Sequence, residues 1–253
     1  MGGPRRNYIQ RSTGQKVIGV TTGLNVLAKP ALLWWAYKQG FINYEELCKL
    51  IAKTLNNKKL EPEAKVEMLL ELMATFQVLG LYEKRDEAAN AGTLGHEFIE
   101  NHLRGLPDPS TKGLPSKVVE KAEGCYITFL DWEKTHHLEV HGSEVQLTSE
   151  KLPFGGTLDH LINTSLTKPP DVEILDIKTG KDIYFEAKVQ VGTYGFLWEE
   201  HHPDRPVKGY HILRLGPNGE FTHKFFPELN DYIPIFDACL DIQQRMKAMG
   251  EKL

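Results

Sequence analysis

The sequence predicts an α/β (α+β) fold, in which a helical N-terminal half leads into a central mixed β-sheet flanked by helices. Apolar residues recur at helical spacing through most of the first 136 positions. From Leu138 onward the pattern shifts to short alternating or continuously apolar runs, divided by turns rich in Pro and Gly. One further helical stretch, Phe185–His201, interrupts those runs.

Residues 1–20 read as irregular. Thr21 and Thr22 precede a helical stretch, and Ala31–Gly40 (ALLWWAYKQG) is apolar and closes on a glycine, a common helix stop. Tyr44–Leu55 and Glu61–Leu79 carry apolar residues at helical spacing, in the second Val66, Leu69, Leu70, Met73 and Phe76. A helix is expected from near Glu87 to Leu103, before Pro107 and Pro109 break the chain. Lys117–Thr135 places Val118, Ala122, Tyr126, Phe129 and Leu130 on one helical side. Leu138–Leu147 alternates as a strand should, and Lys151–Gly156 reads as a turn. Thr157–Asn163 is a second strand, and Val172–Lys178 a third, apolar enough to be central. After the helix, Lys208–Leu215 and Phe221–Phe226 flank a hairpin signal, Pro217-Asn-Gly-Glu, and Pro227–Met249 closes as a helix. We expect a single domain over 1–253: a mostly helical part with a basic arm (1–136), then the sheet and closing helix (137–253).

Composition is that of a soluble globular protein, and no apolar run is long enough to cross a bilayer. The first residues lack the apolar stretch of a secretory signal, so a cytoplasmic location is expected. Cys48, Cys125 and Cys239 are scattered among apolar neighbours. They predict buried reduced thiols rather than a disulfide framework, and they fall short of the four cysteines an iron–sulfur cluster normally takes. Net charge is −4, but it is unevenly spread. Residues 1–60 hold ten Lys/Arg against Glu45 and Glu46, a net +8, which leaves −12 for the remainder. Such asymmetry suits an arm that attracts a polyanion, although a single surface lysine is more often simply solvated.

The chemistry concentrates on the second and third strands. Residues two apart on a strand face the same way, so Asp176 and Lys178 project to one side. If the two strands pair as a hairpin, Asp159 reaches the same spot. Two carboxylates on rigid strands make a hard oxygen site suited to Mg²⁺ or Mn²⁺, to which the carbonyl of Ile177 could add an oxygen. A lysine there can hold or deprotonate an attacking water and offset charge growing on a phosphate. Asp176 lies among Ile174, Leu175 and Ile177, where an unpaired charge is costly. The structural alternative is a salt bridge to Lys178.

These residues resemble the PD-(D/E)XK nuclease superfamily. Gly156-Thr-Leu-Asp159 and Asp176-Ile-Lys178 look like its second and third motifs. Gly92-Thr-Leu-Gly-His96-Glu-Phe-Ile-Glu100 resembles the histidine motif of its RecB-like branch, and Gln190-Val-Gly-Thr-Tyr194 resembles the Q-x-x-x-Y motif. Glu144 matches the acidic residue that precedes the metal-binding aspartate. The stretch around Lys29-Pro-Ala-Leu-Leu-Trp-Trp-Ala is similar to the start of phage-type exonucleases of this group. The motifs keep the branch's order and cover the chain from about Thr22 to the last helix.

The resemblance implies a restriction-endonuclease-like sheet and a divalent-metal-dependent DNA exonuclease acting in phage or mobile-element replication, recombination or repair. It implies His96 as a third metal ligand beside Asp159 and Asp176, with Glu100 on the same helix face and Glu144 as a metal or water ligand or a plain strand carboxylate. It implies that Gln190 and Tyr194 line the site and contact nucleic-acid backbone or the carboxylates; otherwise Tyr194 is core and Gln190 its rim. Thr179, Lys181 and Tyr184 could touch phosphates. Trp34, Trp35 and Tyr37 could stack on bases, although aromatics at helical spacing are more often core. The missing cysteine quartet favours members without an iron–sulfur cluster. The chain holds no G-x-x-x-x-G-K-[ST] loop, so unwinding would fall to a helicase partner, with a recombinase or single-strand-binding protein as further partners. Two other readings compete: a structure-specific endonuclease on the same fold, and a non-catalytic DNA-binding module. Nothing points to a particular small-molecule substrate.

Overall fold

The computed structural model describes the backbone of residues 6–27, 30–76 and 79–251, with the side chains of 30–36, 39–41, 43, 74–76 and 79–84 set aside. The chain packs as two compact units. The first covers residues 28–89 and holds helix α2 (Pro30–Leu55), helix α3 (Pro62–Phe76) and the start of helix α4 (Leu79–Leu103). Here the expected stop at Gly40 is not made, and one helix runs through to Leu55. An interior glycine costs only about 1 kcal/mol against alanine, which a helix of this length absorbs. Likewise α4 begins at Leu79 rather than near Glu87. The helical spacing in α3 does not mark buried positions, since Val66, Leu70 and Met73 are all exposed. Cys48 is exposed too, whereas Cys125 and Cys239 are buried as expected. Trp34 and Trp35, considered above for base stacking, lie outside the described side chains, and Tyr37 is exposed.

The second unit joins residues 2–27 to 90–253. Its N-terminal segment, expected to be irregular, forms strands β1 (Tyr8–Ile9) and β2 (Lys16–Gly19), then a short helix α1 (Val20–Gly23) and a 3-10 turn (Leu24–Val26). Strands this short carry no readable periodicity, and the β4 edge that β2 joins is distant in sequence. Then come the end of α4, helix α5 (Ser116–Glu133), strands β3 (Glu139–Thr148), β4 (Phe154–Asn163) and β5 (Val172–Lys178), helix α6 (Phe185–His201), strands β6 (Val207–Leu215) and β7 (Phe221–Phe226), and helix α7 (Ile233–Ala248). A 3-10 turn at Asn230–Tyr232 precedes α7, so the closing helix is shorter than expected.

Among the described residues these strands make one seven-stranded mixed sheet, with the backbone order β1-β2-β4-β5-β6-β7 and β3 on β4. β3 runs antiparallel along one edge of β4. The other edge is shared: β2 pairs parallel at Phe154 and Gly155, and β5 pairs antiparallel at His160–Ile162. Between them, residues 156–159 have no ladder on that side. β6 continues parallel to β5, and β7 returns antiparallel across a turn in which Gly219 takes φ 87°.

β5 is buried on both faces, as a central strand must be. Val172 and Ile174 point into a core shared with α6 and α7 (Val189, Tyr194, Leu197, Phe236). Leu175 and Ile177 point into a core shared with α4 and α5 (Ile99, Cys125, Phe129, Trp132). A residue such as Ile174, buried to 0% exposure, contributes roughly 1.5–3 kcal/mol. β4 starts at Phe154, within the segment read as a turn, because Gly155 and Gly156 leave room for two aromatic rings. A Cβ on Gly155 would lie 2.7 Å from Tyr8, and one on Gly156 would lie 2.7 Å from Tyr194.

Beneath the end of α5, away from the paired aspartates, Glu173 and His211 are buried with a separation of 3.6 Å, and His211 Nδ1 lies 2.9 Å from His223 Nε2. Burial pushes His223 down to about 4, helped by the neighbouring His211 and His136. Among the described residues, no helix is long and apolar enough to cross a membrane.

Two outcomes follow from this packing. Gly156→Ala should destabilise the protein by about 1–3 kcal/mol in denaturant titration, because Tyr194 must give way, whereas Gly180→Ala, which meets open space, should stay within about 0.5 kcal/mol. The pH dependence has a definite sign. His223 titrates near 6.5 when unfolded and near 4 when folded, so the unfolded chain takes up the proton first. The His223 contribution to stability should therefore be constant above pH 6.5 and be lost as pH drops toward 4, so in denaturant titrations His223→Gln should lose less stability than the wild type across that window.

Candidate active site

The sheet register brings three carboxylates to one level. Ser143↔His160 and Val145↔Leu158 bracket Glu144 opposite Asp159, and His160↔Leu175 carries Asp159 to the level of Asp176. The backbone is irregular here. Leu158 and Leu161 both point into the α6-side core although three apart, so the alternation of β4 slips at Asp159–His160. Glu144 sits opposite that slip with φ 54°, a left-handed conformation uncommon for glutamate.

Asp159 stands where β4 and β5 part. Its Oδ2 accepts the amide of Ile177 at 2.9 Å and lies 3.7 Å from His96 Nδ1. Burial pushes the Asp159 carboxyl upward, but His96, Lys178, His160 and the Ile177 amide outweigh it and hold the group below its usual range. Asp176 is buried to 1% side-chain exposure, with the Lys178 ammonium 2.5 Å from Oδ2. The anticipated salt bridge is therefore present. Neither Asp176 oxygen has a hydrogen-bond partner of regular geometry among the described residues. Burial drives the Asp176 carboxyl upward, Lys178 opposes this and Asp159 adds to it. Burial lowers Lys178, yet Asp176 and Asp159 more than reverse it, so the amine keeps its proton.

His96 comes from α4, placed by close packing at the glycines of its motif. Thr179 Oγ1 would lie 2.7 Å from a Cβ on Gly92, and Gly95 backs onto Ala122 and Cys125 of α5. Burial lowers the His96 imidazole, with Asp159 pulling the other way. Glu100 bonds Arg104 at 2.5 Å rather than the His96 ring. The Glu144 carboxyl is pushed up by burial and by Asp159, against an ion pair with Arg6.

Gln190 Nε2 donates to the Tyr194 hydroxyl at 2.7 Å. Tyr194 is buried, and its ionisation is pushed up by burial and by the nearby Asp176. Tyr194 is thus both a core residue and a neighbour of the carboxylates, with Gln190 at its rim. Thr179 is half-buried against Gly92, while Lys181 and Tyr184 are exposed on the segment leaving β5.

Sequence reasoning missed four contributors: Arg6 on Glu144; Tyr8, whose hydroxyl meets Thr157 Oγ1 at 3.1 Å; Thr21, hydrogen-bonded to Tyr194; and His160. His160 is buried next to Asp159, bonded to Ser143 Oγ at 2.9 Å, and burial pushes it down to about 4. The one signal for Tyr8 was Gly155, which marks a close approach to the strand.

Asp159, Asp176 and His96 are the side chains that could hold a cation, with Glu144 beside them. Among the described residues no three such side chains already converge at ligand distances. The Lys178 ammonium stands at Asp176 instead.

No family model matches the chain, and no curated protein sequence matches it. Solved structures do resemble it. One is a candidate exonuclease from Eubacterium rectale, 13% identical with a TM-score of 0.40, covering 64% of this chain and 69% of that one. Another is the alkaline exonuclease LHK-Exo from Laribacter hongkongensis, 11% identical with a TM-score of 0.31, covering 64% and 91%. LHK-Exo in complex with dAMP gives 13% identity, a TM-score of 0.32 and the same coverage. Likeness this distant leaves the chemistry to be argued from the site.

Proposed function

We propose that this protein is a divalent-metal-dependent DNA exonuclease that hydrolyses phosphodiester bonds. The observation that carries the reading is the pair Asp159 and Asp176 at the parting of β4 and β5, with both Asp176 oxygens buried, Oδ2 facing the Lys178 ammonium and Oδ1 without a hydrogen-bond partner among the described residues. One ammonium leaves this buried group of acids under-compensated, and a hard cation relieves that cost. The donor set of two carboxylates and one imidazole fits Mg²⁺ or Mn²⁺. Asp159, Asp176 and His96 would hold the ion, the Ile177 carbonyl could add an oxygen, and Glu144 stands next to them.

When bound, a divalent cation supplies Lewis-acid stabilisation of charge on phosphate oxygens. The chain's own groups do the rest. Asp159 is already oriented by the Ile177 amide. Lys178 stays protonated in the ion-free protein, so it donates hydrogen bonds and positive charge toward an attacking water or the phosphate rather than taking a proton. Tyr194, fixed by Gln190, keeps its hydroxyl proton beside Asp176 and presents a neutral donor. Thr179 and Lys181 lie on the segment that leaves β5 and would meet the nucleic-acid backbone. We place the activity in phage or mobile-element DNA replication, recombination or repair, in a cell's cytoplasm.

End-labelled single- and double-stranded DNA with Mg²⁺ or Mn²⁺ tests the reading. We expect cleavage from ends, closed circular DNA left intact, and a loss of at least about 100-fold in Asp176→Asn. No cleavage under any condition, or an undiminished Asp176→Asn, defeats it; cut circles favour an endonuclease. The roles of the two partners should also separate. Lys178→Met should lower turnover by about 100-fold yet keep or strengthen Mn²⁺ binding in calorimetry, while Asp159→Asn should weaken that binding. Absent Mn²⁺ heat in the wild type would point to a non-catalytic DNA-binding module.

A further inference from the structure

Arg6 has no part in the roles above, yet it is the residue that meets Glu144. Its guanidinium pairs with that carboxylate and is 42% exposed. The backbone beside it is pinned at several points. Gln146 Nε2 donates to the Asn7 carbonyl at 3.0 Å, Tyr8 occupies the space over Gly155 and meets Thr157, and the amides of Arg11 and Ser12 donate to Glu150 at 2.9 and 2.8 Å. A charged fork is therefore held in a fixed place at the edge of the carboxylate group. Glu144 is an uneasy anion, half-buried opposite Asp159 and close to Glu100. A divalent ion offers such a carboxylate more charge than a guanidinium can.

The geometry points to Arg6 as a phosphate-binding arginine parked on Glu144: once Glu144 turns to a divalent ion, the guanidinium passes to a phosphate of the nucleic-acid strand entering the site. This rests on the nuclease reading. The same planar fork that matches a carboxylate matches two phosphate oxygens. Parking keeps the fork charged and oriented while making it unavailable to anions until the ion is present. Ion and strand then bind with positive coupling, because each favours the state in which Arg6 has left Glu144.

The test measures binding of fluorescein-labelled single-stranded oligo-dT by anisotropy, with and without Ca²⁺, for wild type, Arg6→Gln, Glu144→Gln and the double variant. With Ca²⁺, Arg6→Gln should weaken binding by about tenfold or more, and without Ca²⁺ by less than about twofold. Glu144→Gln should tighten ion-free binding, and that gain should vanish in the double variant. Equal losses with and without Ca²⁺, no loss at all, or a Glu144→Gln gain that survives removal of Arg6 overturns the inference. Arg6→Lys covers the case in which Arg6→Gln unfolds. It keeps the charge but not the fork, so its binding with Ca²⁺ should fall while its thermal midpoint holds, and undiminished binding counts against the inference. A wild type that binds the oligonucleotide but cleaves nothing with Mg²⁺ or Mn²⁺ defeats the nuclease reading and leaves the Arg6 result intact. A wild type that binds no oligonucleotide with Ca²⁺ defeats the Arg6 inference.

Discussion

The Asp159 carboxylate takes the place of a main-chain carbonyl at the point where two strands separate. β5 needs a partner for the Ile177 amide, and its ladder with β4 has already ended at His160↔Leu175. A side chain closes that bond instead. The substitution anchors an acid on rigid backbone, sets it level with Asp176, and leaves open the stretch of β4 over which Tyr194 packs on Gly156. β2 on the same edge fixes how far that opening extends. The rest of the site is arranged around this parting of the sheet.

Electrostatics then explains why the acids tolerate one another. Each has a cationic or polar neighbour of its own: Arg6 for Glu144, His96 and the Ile177 amide for Asp159, Lys178 for Asp176. Removing a single partner would leave a buried charge uncompensated, which costs far more than an exposed ion pair contributes. The arrangement also bears on how the lysine acts. Lodged between two carboxylates, Lys178 is held as an ammonium, so its chemistry in the ion-free protein is that of a donor.

The legible parts of the fold were those with strong local signals. β5 announces itself through the apolar residues Val172, Ile174, Leu175 and Ile177, and α6 and β7 fall where their patterns place them. Asp176 and Lys178 could be put on one side because a strand alternates strictly. What stayed hidden depends on partners far along the chain. β1 and β2 are too short for any period, and Gly155–Gly156 looks like a turn until Tyr8 and Tyr194 are seen to fill the space above it. Arg6 counted only as one charge in a basic arm, since no spacing rule links it to Glu144. Asp159 was visible as an acid, but its bond to Ile177 depends on a ladder ending that only the pairing of three strands decides. Gly40 misled in the opposite direction, because local chemistry favoured a stop and the surrounding helix overrode it.

The contact between Tyr8 and Thr157 joins residues 149 positions apart. Closing so long a loop is slow relative to local helix formation, and the residues at issue are made far apart in synthesis. β1 and β2 can pair with each other, but that hairpin has no edge of the main sheet to join until β4 has followed it. Arg6 waits as long for Glu144, and Thr21 longer for Tyr194. A growing chain therefore carries the components of the site without the site itself. If the protein cuts DNA, that order of assembly keeps unfinished copies harmless to the nucleic acid around them.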